Sequence, residues 1–245
     1  MEIYFAVLNF VLAGVIGTIG IATLMKVSTP NEVLFALLPL LFALHQFTEG
    51  FVWLGMAGAI GERGTKIAAG IFVYYAQGVL PFLVPLSIWL IEKKGYRKKL
   101  LALLTLLGLG LAIYIMYGLA TVPTSVSVVN NTLDYYNPWS ANLPVALIYI
   151  LTTCGSLMLS SSFAVVLFGF LNLIGLIIIY LVRPYGFTSL WCLYAAAISG
   201  LLYFHFVKRR ITFLRELQKS QKHFSKKLAQ ELSSLQKRRF LHQSN

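Results

Sequence analysis

The chain has 245 residues, of which 58% are hydrophobic and only 11% are charged, with a formal net charge of +12. Soluble domains carry about 25% charged residues, so a soluble globular fold does not fit. Apolar runs of about 20 residues recur along the chain, the length a helix needs to cross a bilayer. The expected fold class is therefore all-α, a polytopic membrane protein. Cys154 and Cys192 both fall inside apolar runs, and two such thiols make no disulfide framework.

Seven spans are predicted, at 3–25, 33–56, 68–91, 99–120, 143–160, 163–182 and 188–207. The first lacks a basic leader and a small-residue cleavage site, so it reads as a retained span. Its Gly14, Gly17 and Gly20 mark a face that another helix can approach closely. The third carries Pro81 and Pro85, which predict a kink and free carbonyls.

The 121–142 loop contains TSVSVVNNTLDYY, which alternates apolar and polar residues around Asn130-Asn131. That pattern predicts a β-hairpin with a type I′ turn. Its functional reading is a lid over the outer mouth of the bundle; the competing reading is a loose connector. Tyr135, Tyr136 and Trp139 would then sit near the membrane interface.

Orientation follows from the basic residues. With the 92–99 loop EKKGYRKK inside, all of the 20 basic residues except Arg63, Lys66 and Arg183 lie inside. That bias predicts an N-terminus outside and a C-terminus inside, in a bacterial cytoplasmic (inner) membrane.

The second span holds FALHQFTEGFVW, residues 42–53. His45 and Glu49 are four apart and share one helix face, with Gln46 beside them and Trp53 one turn on. Counted from Val33, His45 lies about 18 Å along the helix, near the bilayer middle. A charged residue there costs at least about 2.5–3.5 kcal/mol, so Glu49 is expected to face the bundle. His45 is its nearest candidate partner. Tyr74, Tyr75 and Gln77 in span 3, Thr152 and Thr153 in span 5, and Asn172 in span 6 could converge on it. The competing structural reading is a polar cluster that only locks helix packing.

Other chemistries find no support. No lysine lies in the body of a span, so a retinal Schiff base has no site. His45 and His205 differ in depth by roughly 10–15 Å, too far for one haem to join. One His and one Glu do not make a zinc site, and no catalytic constellation assembles. No cofactor and no metal site are expected.

The residues of span 2 resemble a known family. Pro39-Leu40-Leu41, then Gln46, Glu49 and Gly50 as a Gln-x-x-Glu-Gly motif, then Trp53, resemble an uncharacterised family of bacterial seven-helix membrane proteins. Thr153-Cys154-Gly155 and the Trp191-Cys192 pair look similar too, and the likeness covers residues 1–207. The family's Cys-Phe-Ser start is absent here, so no role for an N-terminal thiol carries over. The resemblance implies the fold and points to Glu49; it implies no activity.

Residues 208–245 form a basic tail, with 11 basic residues against Glu216 and Glu231. Ile211, Leu214, Leu217, Phe224, Leu228, Leu232 and Leu235 recur at near-helical spacing, predicting a basic amphipathic cytoplasmic helix. Lys208, Arg209, Arg210, Arg215, Lys219, Lys222, Lys226 and Lys227 would meet anionic lipid headgroups. A coiled coil between two copies, giving a homo-oligomer, is weaker because Gln221 and Ser225 interrupt the seam. Nothing beyond charge points to nucleic acid.

The functional expectation is a protein that binds or moves a small ligand or proton through a polar pocket around Glu49 and His45. The alternative is a non-catalytic membrane scaffold or sensor acting through its tail.

Overall fold

The computed structural model describes the backbone at residues 1–93 and 95–243, and the side chains at 1–93, 95–222, 225 and 226. The chain divides into two units, Met1–Phe206 and Val207–Asn245. The first is a helical bundle. Its elements are α1 (Glu2–Leu24), α2 (Pro30–Met56), α3 (Glu62–Ile91), α4 (Tyr96–Thr121), α5 (Leu143–Met158), α6 (Phe163–Val182) and α7 (Phe187–Ser199). The helix α8 (Leu201–Gln243) supplies its last residues and continues as the second unit.

Among the described residues, six stretches are long and apolar enough to cross a membrane: α1, α2, α3, α4, α6 and Phe187–Lys222. The seventh expected span, 143–160, is the short one. Leu143–Met158 runs roughly 24 Å at 1.5 Å per residue, against a hydrocarbon core of about 30 Å. Local chemistry sets its limits. Asn142 caps its start by accepting from the Val145 N–H at 3.1 Å, with Pro144 in the first turn. At its other end the chain breaks through Ser160–Ser162, and α6 begins at Phe163.

The prolines of α3 act as expected on the carbonyls, but the helix responds by widening. Tyr74–Val79 is π-helical, immediately before Pro81. Pro81 has no N–H to return to the preceding turn, so a carbonyl there is released. The Tyr149 hydroxyl of α5 donates to one such oxygen, that of Ala76, at 2.7 Å. Pro85 likewise leaves the Pro81 carbonyl without its helical donor, and Gly108 of α4 lies directly against that oxygen. A second π-helical turn, Leu151–Gly155, falls on the Thr153-Cys154-Gly155 motif, which is therefore continuous helix.

The glycines of α1 divide. Gly20 abuts the backbone of Leu40 and Gly17 the side chain of Ala43, while nothing approaches Gly14. Glu92 ties helix ends together: its Oε2 accepts from the Ser161 N–H at 2.9 Å, and the side chain is buried.

The 121–142 loop is a hairpin. Strand β1 (Ser125–Val129) pairs antiparallel with β2 (Thr132–Tyr136), in the register Ser125 to Tyr136 and Val129 to Thr132. Asn130 and Asn131 adopt φ of 49° and 61°, the conformation of a type I′ turn. Alternation turns Leu133 and Tyr135 inward, where both are buried, and leaves Tyr136 exposed. They join Ala6, Val52, Trp53 and Phe72 in one apolar cluster. A second, larger cluster includes Phe35, Phe42, Ile88, Leu101 and Phe206, and a third gathers Cys154, Leu176 and Trp191. Asp134 Oδ1 accepts from the Gly186 N–H at 3.0 Å, and Arg183 donates to the Asn130 carbonyl at 3.4 Å. Asn137 Nδ2 donates to the Val122 carbonyl at 3.0 Å and closes the base. Trp139 packs on Tyr114 and Tyr117.

In the second unit, Lys208, Ile211, Leu214, Arg215, Leu217, Lys219, Lys222 and Lys226 are exposed, and Arg209 and Arg210 are half-buried. Lys219 pairs with Glu216 at 2.9 Å. The Lys227 side chain, and those of Phe224, Leu228, Leu232 and Leu235, lie outside the described residues.

Candidate functional site

The inward stripe of α2 is buried as its spacing demands. His45 is 3% exposed, Gln46 0% and Glu49 1%. His45, Glu49 and Trp53 lie on one face because three or four residues make one helical turn. That face looks toward α3, α7 and the hairpin.

The His45 ring stacks on Phe72 at 3.9 Å with an interplanar angle of 12°, and Tyr75 stands 4.9 Å away. Phe72 in turn stacks on Tyr135 at 4.5 Å. A column of rings thus runs from the hairpin through α3 to His45. Trp53 stacks on Phe5 at 4.7 Å and walls the site toward α1. On the α7 side, Ser189 lies beside the Glu49 carboxyl. Cys192, 1% exposed, lies in the same cluster as Trp53 and Tyr135. Burial pushes the Tyr135 phenol well above its usual range, and the nearby Glu49 and Cys192 raise it further.

The polar atoms here lack hydrogen-bond partners among the described residues. Neither ring nitrogen of His45 has one, nor does either amide atom of Gln46, nor Glu49 Oε1, nor the hydroxyls of Tyr75 and Tyr135. Burying an amide or hydroxyl unpaired costs roughly 1–3 kcal/mol by mutational measures. Native proteins leave few such groups, and each calls for a physical account. Five side chains from α2, α3 and β2 sharing this property is a concentration that packing alone does not explain.

A family profile matches residues 3–216 of the chain. The chain belongs to DUF6629, a family of unknown function. The DUF6629 match spans every residue of the polar cluster and stops inside α8, leaving the distal tail outside it. No curated protein and no solved structure matches the chain. The resemblance drawn from the span 2 motif therefore holds at the level of an uncharacterised family.

Not every expected residue joins the site of this DUF6629 chain. His45 and Glu49 share a face but make no hydrogen bond to each other, because the His45 ring is held flat between aromatic neighbours. Tyr74 points elsewhere: it is 37% exposed and its hydroxyl contacts Met116 Sδ at 3.7 Å on α4. Gln77 has a buried Oε1 with no partner and bonds to neither His45 nor Glu49. The hydroxyls of Thr152 and Thr153 donate to carbonyls of their own helix, those of Ile148 and Tyr149, at 2.9 and 2.7 Å.

Asn172 likewise donates to its own helix, at Phe168, and lies in a separate place. With Tyr149, Thr153, Cys154, Trp191 and Cys192 it lines a cavity of about 30 Å³. A cavity needs at least about 10–15 Å³ to hold one water, so this one has room for one or two. Trp191 Nε1 is buried there without a protein partner. Cys192 borders both this cavity and the Glu49 cluster.

Tyr135, Ser189 and Cys192 were not expected as site residues. Strand alternation around Asn130-Asn131 carries a signal for Tyr135, since it shares a face with Leu133. Ser189 and Cys192 are three apart on α7, a spacing that puts them on one side but does not say which.

Proposed function

We propose that this DUF6629 protein is a multi-pass membrane protein that binds or translocates a proton or one small polar ligand at Glu49 and His45. The observation that carries the reading is a set of buried, unpartnered polar atoms on α2, α3 and the hairpin whose rings are linked, His45 to Phe72 and Tyr75, and Phe72 to Tyr135. A carboxyl with an unpaired oxygen in a membrane interior needs a positive partner, a proton or a cation. His45 beside it offers two unpaired nitrogens. Size favours the smallest candidates. Organic-ligand pockets run about 300–1,000 Å³, whereas the cavity adjoining this cluster is about 30 Å³.

The same reading includes seven crossings, with α5 completing its passage through the residues that flank it. It places the N-terminus outside and the C-terminus inside a bacterial inner membrane, because the basic residues crowd at one side.

Two measurements test it. Dicyclohexylcarbodiimide, which is lipid-soluble and adds to protonated carboxyls, is applied to the reconstituted protein, and peptide mass spectrometry locates the adduct. An adduct on Glu49, absent in Glu49→Gln, is expected. A folded protein whose Glu49 stays unmodified overturns the proton-bearing reading. Mass spectrometry of molecules extracted from purified protein then separates proton from ligand. A stoichiometric molecule lost in Glu49→Gln or His45→Ala would name the ligand.

A second reading concerns the tail, where Ile211, Leu214 and Leu217 are exposed beside Lys208, Arg215, Lys219 and Lys222. An exposed apolar row among cations suits an anionic lipid surface, at about 1 kcal/mol per basic residue near the headgroups. A scaffold working this way would tolerate Glu49→Gln and fail when 208–245 is removed.

A further inference from the structure

The hairpin does more than close the 121–142 connection. Tyr135 is 8% exposed, its hydroxyl has no partner among the described residues, and its ring ends the column that leads through Phe72 to His45. It shares a buried cluster with Cys192 and lies near Glu49. The hairpin is held by Leu133 and Tyr135, buried in the smaller apolar cluster, and by two peripheral polar bonds, Asp134 accepting from the Gly186 N–H and Arg183 donating to the Asn130 carbonyl. The opposite direction is closed by the larger apolar cluster, with Phe35, Leu38, Ile88, Leu101 and Phe206 all buried. Lifting the hairpin releases those two bonds and uncovers two buried side chains, which costs less than parting the many buried side chains of the larger core.

Resting on the reading of Glu49 and His45 above, we infer that Tyr135 is a residue of that site, supplied by the hairpin, and that the site is loaded from the hairpin side. The Tyr135 ring is the seal between the site and the aqueous face, and its hydroxyl faces whatever Glu49 holds. When the hairpin lifts, the ring leaves Phe72, and the Glu49 and Cys192 face of the cluster opens to water. Tyr135 positions and excludes; it is not itself asked to transfer anything.

The test uses full-length protein in sealed vesicles of each orientation, with two readouts on the same samples. Dicyclohexylcarbodiimide labelling of Glu49 reports the site itself. The rate at which a charged, membrane-impermeant methanethiosulfonate modifies Cys192, read by peptide mass spectrometry, reports access. Wild type is expected to react slowly from either side. Tyr135→Ala should react at least tenfold faster from the hairpin side and unchanged from the other. Tyr135→Phe keeps the ring and should match wild type. Asp134→Ala, which frees the hairpin without touching the core, should fall between, and it guards against a folding defect in Tyr135→Ala.

Glu49 labelled with no change in Cys192 rate in either Tyr135→Ala or Asp134→Ala overturns the inference and leaves the Glu49 site standing. So does equal acceleration in Tyr135→Ala and Tyr135→Phe, or faster entry from the opposite side. No labelling of Glu49 in folded wild type overturns the site, and this inference with it.

Discussion

The Tyr149 hydroxyl donates to the carbonyl oxygen of Ala76 at 2.7 Å, and so joins α5 to the π-helical turn of α3. The bond replaces one that the helix cannot make, because Pro81 has no N–H. Tyr149→Phe would leave a carbonyl without its donor, at a cost of roughly 1–3 kcal/mol. Unfolding in mixed micelles by added dodecyl sulfate should show that loss. An unchanged midpoint would mean that the carbonyl finds another donor.

Gly108 and Gly110 lie two residues apart on α4, yet they should respond oppositely. A Cβ at Gly108 meets the Pro81 carbonyl, a backbone atom that cannot swing aside, while nothing approaches Gly110. Gly108→Ala is expected to destabilise by about 1–3 kcal/mol, as overpacking does. Gly110→Ala should be neutral or stabilising, by up to about 1 kcal/mol of helix propensity. Equal effects at the two positions would show that α3 and α4 are not held at this separation.

Gly186 pairs its N–H with Asp134 and takes a φ of 73°, with Thr132 pressed against it. Gly186→Ala should strain the backbone by roughly 1–2 kcal/mol and push on Thr132. Gly58 has a φ of 74° with nothing nearby. Gly58→Ala therefore carries the strain without the collision. Hydrogen exchange over residues 125–136 should speed up in the first variant and stay at the wild-type rate in the second.

Burial holds the Tyr135 phenol above its ordinary value of 10. A group raised on folding contributes stability that is complete below its unfolded pKa and fades as pH climbs toward the folded one. Wild type should therefore lose stability from about pH 10 upward, the ordinary tyrosine value. Tyr135→Phe removes that contribution, so its decline over the same range should be shallower. Melting curves at stepped pH in one detergent would decide. Parallel declines would show that the phenol is not sealed from water.

The sequence alone determined the class of the protein and much of its layout. The period and length of its apolar runs come close to the observed starts and ends of α1, α2, α4 and α6, because a bilayer demands a nearly constant helix length. Asn130-Asn131 between alternating strands determined the hairpin, since few residues accept two successive left-handed conformations. The i, i+4 spacing of His45 and Glu49 determined that they share a face. Tertiary structure decided the rest. Periodicity says that Glu49 faces inward but not what meets it, and the neighbours turned out to be Ser189, Cys192 and Tyr135 from distant elements. The two π-helical turns shifted faces that a 3.6-residue period would align. Tyr74 therefore left the site for α4, while Tyr75 stayed beside His45. The shortness of α5 came from its capping residues, which hydropathy does not register. Spacing along one helix is a local property; which helix lies opposite is set by how all of them close around a shared core.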